Sequence, residues 1–245
     1  MQGERYLWAH LSFSGKRAAT TLSIQLPVCK AICERIEALK LPLEVRSQLV
    51  GMFVNSKALY GSAATPPSRR HMARLRAACS RAIWGQANSW RAIEIPFMTL
   101  CKGHLADPAQ VFGYQTILIV RRLLMRHVEL RELFNEVFAL RTADGAEQLN
   151  HIGGPVLAFQ RAMDVANMEL EGLDTLFCLK EGNRGELDEV KWLDGQQCSS
   201  SLFAHKLRYC LKQEQWCRLA YRRPSFEGIQ NGIHRVATLK LSKML

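Results

Sequence analysis

Between Glu44 and Glu94 the chain carries no carboxylate at all. Inside that window lie Arg46, Lys57, Arg69, Arg70, Arg74, Arg76, Arg81 and Arg91. Apart from Arg91, which has Glu94 three residues on, these cations have no acid three or four residues away, so a helix built there cannot quench them along its own face. Two outcomes remain. The cations face a polyanion, or they are covered by an acidic segment from elsewhere in the chain.

The distribution of charge defines that choice. Residues 1–122 hold 17 Lys and Arg against 6 Asp and Glu, a net +11. Residues 123–205 hold 7 against 14, a net −7, and residues 206–245 hold 9 against 2, a net +7. A basic block and a basic tail are the footprint of polyanion binding. The acidic middle is the internal candidate for folding back over the basic helix. A length of 245 residues with 48% apolar content supports a substantial core and excludes wholesale disorder. No apolar run is long enough for a transmembrane helix, and the opening MQGERYLWAH lacks the features of a secretory signal. With eight cysteines and no Cys-x-x-Cys pair, the expectation is reduced, mostly buried thiols in an intracellular protein, nuclear or cytoplasmic.

Apolar spacing predicts a mainly α fold. Residues 5–13 alternate and read as a strand with its turn at Ser14-Gly15-Lys16. Everything after reads as helix: 17–39 with Pro27 as a break or kink, then Pro42 to about Tyr60, closed by Gly61. Pro66-Pro67 is an extended linker, Ser68 an N-cap and Gly85 a stop. Between them Met72, Leu75, Cys79 and Ile83 form one stripe, with Arg70, Arg74 and Arg81 opposite and Arg69 and Arg76 flanking. Asp107-Pro108 opens a helix of about 20–30 residues. Residues 141–154 read as linker, 155–172 as helix, 182–200 as loop and 201–222 as a last helix stopped by Pro224.

The order of these features resembles the region after the palm in non-LTR (LINE-type) retrotransposon reverse transcriptases. The residues carrying the resemblance are Tyr6-Leu7, Leu41-Pro42-Leu43, Ala58-Leu59-Tyr60-Gly61 and the basic helix closing on Ile83-Trp84-Gly85. They span residues 5–130. The segment Trp216–Arg223, with Gly228-Ile229 and Gly232-Ile233, is similar to the stretch beyond the thumb in some of these elements. Trp8 stands where that family usually has Gly. The resemblance implies a thumb-like helical bundle over 17–140, a remnant palm–thumb strand or hairpin over 1–16, and a smaller helical region with loops over 141–245. It implies a chain that grips a template-primer, an RNA–DNA hybrid or duplex, through its backbone. The palm, with its clustered aspartates and Mg²⁺, would be a partner and not part of this chain, which has no Asp-Asp pair. The expected phosphate-binding residues are Arg69, Arg70, Arg74, Arg76 and Arg81, extended by Lys57 and Arg91. The alternative is a non-enzymatic helical interaction module whose basic face takes an acidic partner.

Other constellations point less far. Cys198, His205, Cys210 and Cys217 lack the paired upstream cysteines of a zinc knuckle. Cys29 and Cys33, one turn apart, read as core thiols. Cys101 with His104 has no third group to orient it as a nucleophile. Trp84 and Trp90 flank a polar loop and read as core anchors before base-stacking platforms.

Overall fold

A computed structural model describes residues 4–6, 9–11, 21–85, 92–142, 154–179 and 187–224. The fold is mainly helical, as the apolar spacing predicts. The N-terminal strand is a hairpin: β1 (Glu4–Tyr6) pairs antiparallel with β2 (Ala9–Leu11), so the chain reverses inside the segment read as one strand. The turn at Ser14-Gly15-Lys16 lies outside the described residues.

Helix α1 (Thr21–Ala38) runs through Pro27 without the expected break. The proline forfeits one backbone bond. Leu22, Leu26, Cys29, Cys33 and Ile36, on both sides of it, are buried and hold the helix in place. Helix α2 (Leu43–Leu49) continues as a π-turned segment, Val50–Asn55, and then α3 (Ser56–Ala58), ending at Gly61 with φ +71°. Pro66 and Pro67 are buried, and α4 (Arg69–Trp84) starts after them. Its Ser68 cap accepts from the His71 amide at 3.2 Å, and Gly85, at φ +90°, closes it. The stripe behaves as read: Leu75, Cys79 and Ile83 are buried and Met72 packs on the core.

A second π-turned segment, Pro96–Leu100, leads to the short α5 (Gly103–Ala106) and then to α6 (Pro108–Arg126). The long helix expected after Asp107 is divided, because the chain leaves helical geometry at His127 before α7 (Leu130–Thr142) begins. Helix α8 (Pro155–Ala166) ends on Asn167 in the left-handed region, φ 51°. There the structure departs from the helix-and-loop reading. Strands β3 (Glu169–Glu171), β4 (Thr175–Leu179) and β5 (Leu187–Lys191) form an antiparallel sheet in that order. Helix α9 (Ser200–Arg222) closes the described chain, capped by Ser199.

Helix α6 is the axis. It packs on α4, α8 and α9, while α1 lies along α4. One contiguous apolar cluster reaches from Leu22 to Leu211. Two arginines, Arg76 largely buried and Arg121 fully so, tie this bundle together. Arg76 of α4 donates to both Asp107 oxygens, at 2.7 and 2.6 Å, and to Gln215 of α9 at 3.2 Å. Asp107 is fully buried and also accepts from the Ala109 amide at 3.0 Å, capping α6. Arg121 of α6 donates to the carbonyls of Trp192 (2.5 Å) and Cys198 (2.6 Å) and to Ser200 Oγ (3.2 Å).

Breaking the first of these leaves an uncompensated buried charge, which costs about 3–5 kcal/mol. The variant Asp107→Ala is therefore expected to lose about that much stability in urea unfolding. Asp107→Asn, which keeps an acceptor for the cap, loses less. Equal losses in the two variants would show that the charge, which both remove, carries the whole contribution; an Asp107→Asn variant as stable as the unaltered chain would show that the charge is irrelevant.

Candidate functional site

The acid-free window resolves into four kinds of arginine. Arg69, Arg70 and Arg74 are exposed on α4, and among the described residues none of them has a side-chain partner. Arg70 and Arg74 are one helical turn apart, about 6 Å along the axis. Arg81, half-exposed on the same helix, is taken by α1: its Nε donates to Glu37 at 3.0 Å and its NH2 lies 3.9 Å from Glu34. Arg76 does not belong to the exposed row. Its side chain is 18% exposed and is committed to Asp107, with Glu94 at 3.9 Å. Burial alone would depress its pKa; the charge and hydrogen bonds of Asp107, with Glu94 behind them, override burial and raise it. Arg46 turns to backbone, donating to Leu41 O at 2.9 Å and to Ile83 O, near the end of α4, at 3.5 Å.

Lys57 is exposed on α3, a separate element, and its charge reaches Cys29 of α1. Arg91 and Trp90 lie outside the described residues. Trp84 packs against the core, in line with an anchoring role.

Among the described residues, the carboxylates that meet this basic helix do not come from the acidic middle of the chain. They are Glu34 and Glu37 on one flank of the window and Glu94 and Asp107 on the other. Described acids of the 123–205 block are engaged elsewhere, Asp188 with Lys206, Glu189 with Lys191 and Glu129 with His127. The ion pair between Arg222 of α9 and the buried Glu94 is the link to the C-terminal region that sequence spacing gave no means of finding.

The thiol constellations fold into the core. Cys29, Cys33, Cys79, Cys101, Cys178, Cys198 and Cys210 are buried, and Cys217 is exposed. Cys33 of α1 meets Cys79 of α4, and Cys178 of β4 meets Cys210 of α9, through side-chain hydrogen bonds. Among the described residues no group of three His, Cys, Asp or Glu is placed to hold a metal ion. Cys101 and His104 do share the wall of one cleft. Burial, with a contribution from Glu44 and against a hydrogen bond from Ser47, pushes the Cys101 thiol up to about 11. At neutral pH it is a protonated thiol and not a nucleophile. No described helix is long and apolar enough to cross a membrane. Comparison with protein-family models, curated proteins and solved structures finds no match.

Exposure and thiol acidity together set the order of alkylation. Iodoacetamide at pH 7.5 is expected to modify Cys217 first among the described cysteines, with Cys101 unmodified until the chain unfolds, as read by peptide mass spectrometry. Modification of Cys101 ahead of Cys217 would overturn the buried-thiol assignment.

Proposed function

We propose that this chain is a polynucleotide-holding module, the thumb-like part of a LINE-type reverse transcriptase, itself without the catalytic aspartates. The observation that carries the reading is the exposed trio Arg69, Arg70 and Arg74, without a side-chain partner among the described residues, on a capped, core-anchored helix. Guanidinium groups fork onto phosphate oxygens, and a row spaced by one helical turn follows a strand's backbone without reading bases. The mainly helical architecture and the order of sequence features from Tyr6 to Gly85 support the same reading. The contribution of such a module is position and grip, with the nucleotidyl chemistry and its Mg²⁺ belonging to a palm. Arg76 is no longer among the proposed phosphate ligands, since Asp107 occupies its fork.

Contacts to phosphate release counterions, so log affinity falls against log salt by about 0.9 per contact on duplex DNA. Anisotropy of a labelled duplex or hybrid between about 50 and 200 mM salt is expected to show a slope of several units. Replacing Arg69, Arg70 and Arg74 by Ala flattens it by up to about three units. An unchanged slope removes α4 from the interface.

Arg81 supplies a second, opposite-signed expectation. The paired change Glu34→Gln and Glu37→Gln frees its guanidinium and steepens the slope by up to about one unit. No steepening means that Arg81 does not reach the polyanion even when released.

A further inference from the structure

Apart from the arginine row, the described residues enclose a cleft of about 600 Å³ between the α2 rod, the segment 101–106 and the start of α6. Clefts of about 300–1,000 Å³ take small organic ligands. The wall of this one is fixed. Asn55 Nδ2 donates to the carbonyls of Leu105 and Ala106 at 2.9 and 3.1 Å. Gly51 lets the rod come so near that an added Cβ would stand 3.0 Å from Leu105 O. Both residues belong to the π-turned segment Val50–Asn55, and the second π-turned segment runs directly into Cys101. Turns of this kind recur where a helix is reshaped for a site. A wall held this way need not be ordered by its ligand, which lowers the cost of binding.

The lining divides by chemistry. Met52 and Leu105 are large apolar side chains left 66% and 51% exposed, and Val111 is buried. Lys102, His104 and Tyr114 supply polar groups. The His104 and Tyr114 rings stand 5.4 Å apart, and Arg208 of α9 donates to the Tyr114 hydroxyl at 3.4 Å. Burial, then the charges of Arg208 and Lys102, hold the His104 pKa below its usual value. A neutral imidazole still offers one N–H donor. Glu44, the acid on the lining, acts on Cys101 and is not among the groups that shift His104. Positive charge and donors therefore converge around His104, next to uncovered apolar surface.

We infer that this cleft binds a small organic anion: a carboxylate or phosphate head met by Lys102 and the His104–Tyr114 pair, with Arg208 behind, and an apolar or aromatic body against Met52, Leu105 and Val111. The exposed α4 arginines do not line the cleft, so this site stands or falls independently of polynucleotide binding.

The test is titration of the full chain with phenyl phosphate, followed by calorimetry and amide chemical shifts. Saturable binding with Kd below about 1 mM is expected, with shifts at Met52, Lys102 and Tyr114. Phenylacetate in a parallel arm identifies the preferred head, the tighter of the two naming it. Benzyl alcohol, which keeps the ring and loses the charge, should bind about tenfold more weakly or worse. Lys102→Ala is expected to weaken phenyl phosphate by about tenfold, with Lys102→Arg restoring it. The Arg70→Ala, Arg74→Ala pair leaves it unchanged. Lys102 is exposed, so its replacement keeps the fold, which an unchanged melting temperature verifies. No saturation by about 10 mM, equal binding of benzyl alcohol, an unaffected Lys102→Ala variant, or shifts centred on Arg69–Arg74 would each overturn the assignment.

Discussion

The Arg76–Asp107 pair is the interaction on which the arrangement of the helices depends. Burying two ions costs several kcal/mol each, and only good geometry returns it. Here the fork is closed by two short bonds, the spare NH2 capacity goes to Gln215, and Asp107 also caps α6. One carboxylate thus fixes where α4 crosses the start of α6 and where α9 passes both. Glu94 extends the network outward to Arg222. A hydrophobic pair could fill the same volume, but it would not specify which turn of α9 lies opposite α4.

Arg121 meets the same problem with a different solution. It is 2% exposed and among the described residues has no carboxylate partner; carbonyls of Trp192 and Cys198 satisfy its donors, and its guanidinium carbon lies 4.8 Å from the Phe203 ring centroid. Burial lowers its pKa, opposed by Cys198. The bonds pin the turn after β5 to α6. Next to them, Trp192 stacks on Phe159 at 5.5 Å and donates its indole N–H to Leu173 O at 2.8 Å. The small sheet, too short to be stable alone, is held by this arginine and tryptophan.

Much of the helical part was legible because its signals are local. Ser68, Gly85 and Asp107 act within four residues, and the Leu75–Cys79–Ile83 stripe repeats often enough to fix a face. The sheet was not legible for the converse reason. Strands of three to five residues leave one or two inward positions each, Leu170, Leu176, Cys178 and Val190, and alternation that short cannot be told from helix or loop. The break expected at Pro27 did not occur because packing outweighed local preference. The basic stretch was legible in composition but not in allocation. Sequence identifies a stretch without acids; it cannot say that Arg76, between exposed neighbours, turns inward to an aspartate 31 residues away.

That allocation gives the basic helix a graded surface instead of a uniform one. Arg76 is withdrawn, because removing it from Asp107 would strand a buried carboxylate. Arg70 and Arg74 have no described partner to give up. Arg81 sits between these limits: it is 50% exposed, and Glu37, its nearer partner, is 23% exposed. Exposed ion pairs are worth about 0–1 kcal/mol and are screened by salt, so a phosphate offering two charge-assisted bonds competes with Glu37 on even terms. On the proposed polynucleotide reading, the two carboxylates of α1 would set how far toward Gly85 a backbone is held, by competition for one guanidinium and with no movement of the helix.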